Sequence, residues 1–93
     1  MRPKKERHIC CEIDAKYFKP RGIPMGELQE VILKADEIEA IRLADYEQLY
    51  QEEAAQKMNV SRQTFGRIVE SARRKIADAL INGKALRIDE NQI

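Results

Sequence analysis

The chain has one histidine and two cysteines, and the cysteines are neighbours, Cys10 and Cys11. Adjacent cysteines on an extended segment point to opposite faces, so they rarely share a metal ion or bridge to each other. No CxxC pair and no second Cys or His cluster closes a tetrahedral site around them. A buried Cys11 beside an accessible Cys10 is the expected arrangement. His8 is the only imidazole, so a Cys–His–Asp centre has nothing but proximity to stand on. There is no phosphate loop and no dinucleotide fingerprint. The carboxylates show no spacing that pairs an acid with a base in a pocket. These absences predict a protein that is not an enzyme and holds no metal or cofactor.

Long apolar runs are also missing. None approaches the roughly 20 residues that a membrane helix needs. The opening MRPKKER leads into HICCEID without the apolar stretch of a secretory leader. A cytoplasmic protein with no membrane partner is expected. The 93 residues suit one domain over 1–93 with a modest core, to which self-association would add buried surface.

The formal net charge of +1 hides an asymmetry. Between Glu27 and Glu53 the acidic residues Glu27, Glu30, Asp36, Glu37, Glu39, Asp45, Glu47, Glu52 and Glu53 face only Lys34 and Arg42. Between Arg62 and Arg87 the basic residues Arg62, Arg67, Arg73, Arg74, Lys75, Lys84 and Arg87 face only Glu70 and Asp78. A nucleic-acid binder needs its positive charge gathered on one face rather than a high total. Halves of opposite sign also suit self-association.

Residues 1–7 read as a basic arm, with Arg2, Lys4, Lys5 and Arg7 and too few apolar residues to fold alone. Residues 8–34 read as an N-terminal strand followed by a loop. The alternation of Ile9, Cys11 and Ile13 predicts the strand over His8–Asp14. Pro20, Gly22, Pro24 and Gly26 break any helix in the loop, and Tyr17 and Phe18 are expected to pin it to the core. Leu28 and Val31–Leu33 fit either a helix or an extended segment. A helical core is predicted over 35–83. Asp36 begins its first helix as a cap, and Asp45–Leu49 is the connection. A strand is predicted over 84–89. The two terminal strands would pair with each other or across a dimer.

Gln51–Glu70 has the spacing of a helix-turn-helix. Ala55 is the small residue where two helices cross, and Asn59 follows four residues later at the turn, where it tolerates a left-handed backbone. Met58, Val60, Phe65 and Ile68 are apolar at the inward positions. Ser61 caps a helix of about 20 residues that stops at Asn82–Gly83. Its outward first turns carry Ser61, Arg62, Gln63, Gly66 and Arg67. Gln63 suits adenine, and Arg62 or Arg67 suits guanine, through paired hydrogen bonds in the major groove. Thr64, Gln51, Arg73 and Arg74 suit phosphates, and Arg2, Lys4, Lys5 and Arg7 suit the adjacent minor groove. Gly66 lowers helix propensity by roughly 1 kcal/mol against Ala, which makes sense if something approaches closely there. Glu70 faces outward and would repel phosphate unless paired with Arg67, Arg73 or Arg74. Ile76 and Leu80 remain available for a dimer contact.

Over the segment DEIEAIRLADYEQLYQEEAAQKMNVSRQTFGRIVESARRKIADAL the chain resembles region four, the promoter-reading domain, of bacterial sigma factors. Over RPKKER, YFKPRGIP, ADEIEAIRLAD, LYQEEAAQKMNVSRQTFGRI and GKALRI it resembles more closely an uncharacterised family of small prokaryotic proteins described as predicted DNA-binding proteins. The resemblance implies a mainly α fold: a trihelical, sigma region-four-like helix-turn-helix with a long recognition helix and short terminal strands. The function expected is sequence-specific binding of double-stranded DNA by a dimeric transcriptional regulator. The alternative is an interaction module that docks on RNA polymerase or a sigma factor through an acidic face on Glu37, Glu39 and Glu47.

Overall fold

A computed structural model of the chain describes residue 13 and residues 15–91. Phe65, Ile68, Val69, Ala72 and Ala79 recur at three- and four-residue spacing and form the buried stripe of the longest element, helix α3 (Arg62–Asn82). Both ends of α3 are set locally. At its start Ser61 Oγ accepts the Thr64 N–H at 3.0 Å. At its end Gly83 turns left-handed at φ 65°, and the Lys84 N–H reaches back to the Ala79 carbonyl at 2.9 Å. The predicted helix ends are therefore met.

Helix α2 (Gln51–Met58) packs on α3 through Ala54, Ala55 and Met58, all buried. Asn59 leaves α2 in the left-handed region, at φ 57° and ψ 45°. Its N–H bonds the Gln56 carbonyl and the Val60 N–H bonds the Ala55 carbonyl, which satisfies the last turn of α2 while reversing the chain. Helix α1 (Ala35–Ile41) runs into a π-helical turn over Arg42–Tyr46, closed by a 2.8 Å bond from the Glu47 N–H to the Arg42 carbonyl. The predicted connection at Asp45–Leu49 thus begins inside this turn. Ala40, Leu43, Met58, Phe65 and Val69 form the core among the three helices.

The strands depart from expectation. Strand β3 (Ala85–Asp89) is the centre of a three-stranded sheet in the order β1-β3-β2. Strand β1 (Tyr17–Phe18) pairs with it antiparallel, and strand β2 (Glu30–Lys34) pairs with it parallel. The predicted terminal strand at His8–Asp14 lies outside the described residues except for Ile13. The partner found for β3 is instead β2, a segment whose helix–strand ambiguity local pattern alone leaves open. Its β-branched pair Val31–Ile32 favours the extended form, and register with β3 settles it. Tyr17 and Phe18 are strand residues rather than loop anchors, and the Phe18 ring is exposed. Leu33 and Ile88 of the sheet pack on Ala72, with Ile76 partly buried beside them, so Ile76 is an internal contact and not a free dimer surface.

Helix α1 starts one residue before Asp36, and its cap differs from expectation. The Lys34 N–H is accepted by Glu37 Oε1 at 2.9 Å, while Asp36 is itself buried. Glu37, only 5% exposed, also accepts from Lys75 Nζ at 2.7 Å and Ser71 Oγ at 2.6 Å on α3. Lys75 Nζ further donates to the Ile32 carbonyl of β2 at 2.8 Å. Burial opposes the charge on Glu37, but the bonds from Lys34, Lys75 and Ser71 outweigh it and hold the carboxyl below its ordinary range.

A depressed carboxyl contributes stability above its unfolded-state value, and that stability is lost as the pH falls through the folded one. Lys75→Met keeps the aliphatic stem and removes the cation. It should cost roughly 2 kcal/mol near neutral pH, less than the ~3–5 kcal/mol for a fully buried pair, because the Lys75 side chain is 29% exposed. Its acid unfolding should begin at a higher pH than that of the parent. Urea unfolding between pH 3 and 7 checks both, and a loss that is the same at every pH would sink the assignment.

Candidate functional site

The first turns of α3 are anchored from inside by Phe65, Ile68 and Val69. This leaves Arg62, Gln63 and Arg67 exposed on the other side. Gln51, Ser61, Arg62, Gln63 and Gly66 line one open recess, so the start of α2 lies across from the start of α3. The expected site residues at these positions are thus brought together. Thr64 is half-buried, and its Oγ1 accepts from Ser61 Oγ at 3.0 Å, which leaves its own proton for another acceptor.

The cations of the described residues sort into two groups. Lys16, Arg42, Arg73, Lys75, Lys84 and Arg87 each pair with a carboxylate. Lys19, Arg21, Lys34, Lys57, Arg62, Arg67 and Arg74 make no ion pair among the described residues, and neither does Glu70. The predicted phosphate ligand Arg73 is therefore already engaged. Its guanidinium holds both oxygens of Asp45, Nη2 at 2.7 Å and Nε at 3.1 Å. This bond keeps the Asp45 carboxyl below its usual range and raises the guanidinium. Arg74 lies on another flank of α3, where it borders a separate recess with Ser71, Lys75, Asp78 and Ile81. Arg2, Lys4, Lys5 and Arg7, like His8, Cys10 and Cys11, lie outside the described residues.

Gly66 is helical, and a Cβ built on it would meet nothing within 4 Å. No contact inside the protein explains the missing side chain. The acidic stretch does not form one face. Asp36, Glu37 and Glu39 are buried, Glu39 and Glu47 share Arg42, and Asp45 holds Arg73. The expected docking face on Glu37, Glu39 and Glu47 thus loses its first two members to the interior. Two surface residues absent from the expected site are Tyr46 and Tyr50, 81% and 84% exposed. The sequence signal was two tyrosines spaced around Leu49 in a segment without helical periodicity.

Residues 1–92 match the model of a family described as a protein of unknown function, DUF134. The chain is 59% identical over 88 residues to the UPF0251 protein of Caldanaerobacter subterraneus subsp. tengcongensis, an alignment covering 95% of this chain and 75% of that protein. The chain belongs to this UPF0251 family. A UPF0251 protein of Vibrio vulnificus is 58% identical over 85 residues, which is 91% of this chain and 85% of the relative. The UPF0251 protein of Prosthecochloris aestuarii is 54% identical over 88 residues, and the match spans 57% of its length. No solved structure matches the chain. No helix of the described residues is long and apolar enough to cross a membrane.

Two substitutions probe this end of α3 in opposite directions. Ser61→Ala should lower stability by about 1 kcal/mol through loss of the cap. Gly66→Ala should raise it by up to about 1 kcal/mol, since helix propensity improves and the space is open. Urea midpoints measure both, and a loss on Gly66→Ala would mean that the position is crowded in the free protein.

Proposed function

We propose that this protein binds double-stranded DNA sequence-specifically as a transcriptional regulator. In this reading α2, the Asn59 turn and α3 form a helix-turn-helix similar to sigma region four, and α3 is the recognition helix. The observation that carries the proposal is the pair of exposed, unpaired arginines, Arg62 and Arg67, set with Gln63 on the outward first turns of α3. Farther along α3, Arg73 and Lys75 are neutralised by carboxylates, whereas the charges of Arg62 and Arg67 are left open to a partner. Arginine and glutamine on such a helix match the donor and acceptor pattern of guanine and adenine edges. Gly66 supports close approach: its cost to the helix has no internal return, and it sits in the recess that Arg62, Gln63 and Gln51 border. Gln51 and Thr64 suit backbone phosphates, which fix register without reading sequence.

A dimer belongs to the same proposal. Leu80 is 75% exposed near the end of α3 and borders an apolar recess with Phe18, Pro20 and Leu86. Two half-sites on one face of DNA require the two recognition helices of such a dimer to lie about 34 Å apart, one helical turn.

Selection from a random duplex library at two salt concentrations tests the proposal. An enriched motif is expected, with two half-sites if the protein is dimeric and with affinity that falls steeply as salt rises. The triple substitution of Arg62, Gln63 and Arg67 by Ala should abolish that binding while the urea midpoint stays near the parent's. Gly66→Ala should weaken it although it stabilises the fold. A parent chain that enriches nothing and binds no duplex at low salt would overturn the proposal.

A further inference from the structure

The connection between α1 and α2 is tied to α3 at Asp45 and meets its first turn at Gln51, and an exposed tyrosine follows or precedes each of these in sequence. Its far end is fixed where Asp45 takes both guanidinium nitrogens of Arg73. Its near end is Gln51, which shares a recess with Arg62 and Gly66. Arg62, Gly66 and Arg73 are spaced by four and seven residues, so they form one stripe along α3. The connection therefore runs alongside that stripe, with Tyr46 beside Asp45 and Tyr50 beside Gln51. Between them Leu49 turns inward onto the helical core, and its N–H bonds the Leu43 carbonyl at 3.0 Å. Gln48 takes up the turn in the left-handed region at φ 60°, an uncommon conformation for a residue other than Gly, Asn or Asp. The segment is thus tied at several points, yet both rings stand in solvent, 81% and 84% exposed.

We infer that Tyr46 and Tyr50 form the second wall of the interface and grip the sugar–phosphate backbone of the strand beside α3. The inference rests on the duplex-binding reading of α3. The chemistry fits a phosphodiester backbone: each phenol donates a hydrogen bond to an anionic oxygen, and each ring covers the apolar edge of a sugar. Arg73, neutralised by Asp45, is then a positioning residue. It aims Tyr46 instead of meeting phosphate itself. Backbone contacts carry no sequence information, so these tyrosines contribute affinity and not the motif.

The test uses the full chain and the duplex that the parent enriches. Tyr46→Ala and Tyr50→Ala should each weaken binding roughly 3- to 10-fold, the size of one net hydrogen bond, with the selected motif unchanged. Tyr50→Phe should show part of that loss, because it removes the hydroxyl and keeps the ring. Arg73→Ala combined with Tyr46→Ala should lose no more than Tyr46→Ala alone, whereas a direct phosphate contact by Arg73 would make the losses add. Nitration mapped by mass spectrometry gives a reading without substitution. Tyr46 and Tyr50 should be modified in the free protein and protected by the duplex. Tyr17, bonded to Glu30 at 2.8 Å, should be indifferent to the duplex. Parent-like binding by both alanine variants, with no protection of either ring, would overturn the inference while a loss on Arg62→Ala left the duplex reading intact. A parent chain that binds no duplex overturns both.

Discussion

Glu37 is the carboxylate on which the sheet and the helices meet. It closes the β2–α1 junction through the Lys34 N–H, and it reaches across to Ser71 and Lys75 in the middle of α3. Lys75 in turn anchors the Ile32 carbonyl. A charge this deeply buried is costly unless hydrogen-bonded on several sides, and here it is. Because Glu37 sits on α1 and its donors come from β2 and α3, only one mutual arrangement of the three elements satisfies it. The apolar contacts of Leu33, Ala72 and Ile88 supply attraction between the same elements but little direction. The polar knot adds the direction.

That arrangement fixes α3 over its middle, and the surface at its start follows. With Phe65, Ile68 and Val69 turned into the core, Arg62, Gln63 and Arg67 have nowhere to face but outward. The small residues Ala54 and Ala55 let α2 approach closely, which brings Gln51 to the recess beside Arg62 and Gly66. Fold and site thus share one cause: the register of the buried stripe decides the position of the exposed one.

Electrostatics divides the basic residues by role. Lys75 and Arg87 bind parts of the fold together, and Arg73 pins a connection. Arg62 and Arg67 do neither. A count of positive charge along the second half of the chain gives all of these the same weight. Their difference lies in whether a carboxylate distant in sequence arrives beside them. Asp45 and Arg73 are 28 residues apart, and Glu37 and Lys75 are 38 apart, so local pattern cannot pair them.

The sequence alone determined the features that depend on near neighbours. Ser61 as a cap, Asn59 as a left-handed turn, Gly83 as a stop and the apolar period of α3 are short-range matters of backbone sterics and hydrogen bonding, and each was legible. Gln63 and Arg67 were legible for the same reason, since helical period alone puts them opposite Phe65 and Ile68, with Arg62 on the flank between. The tertiary structure decided what depends on distant partners. It made β2 a strand by pairing it with β3, turned Tyr17 and Phe18 from loop into sheet, and drew Glu37 and Glu39 inside. It also engaged Arg73 with Asp45 and left Tyr46 and Tyr50 exposed. Strand pairing and ion pairing join residues tens of positions apart, and their free energy exists only once the chain has brought those residues together.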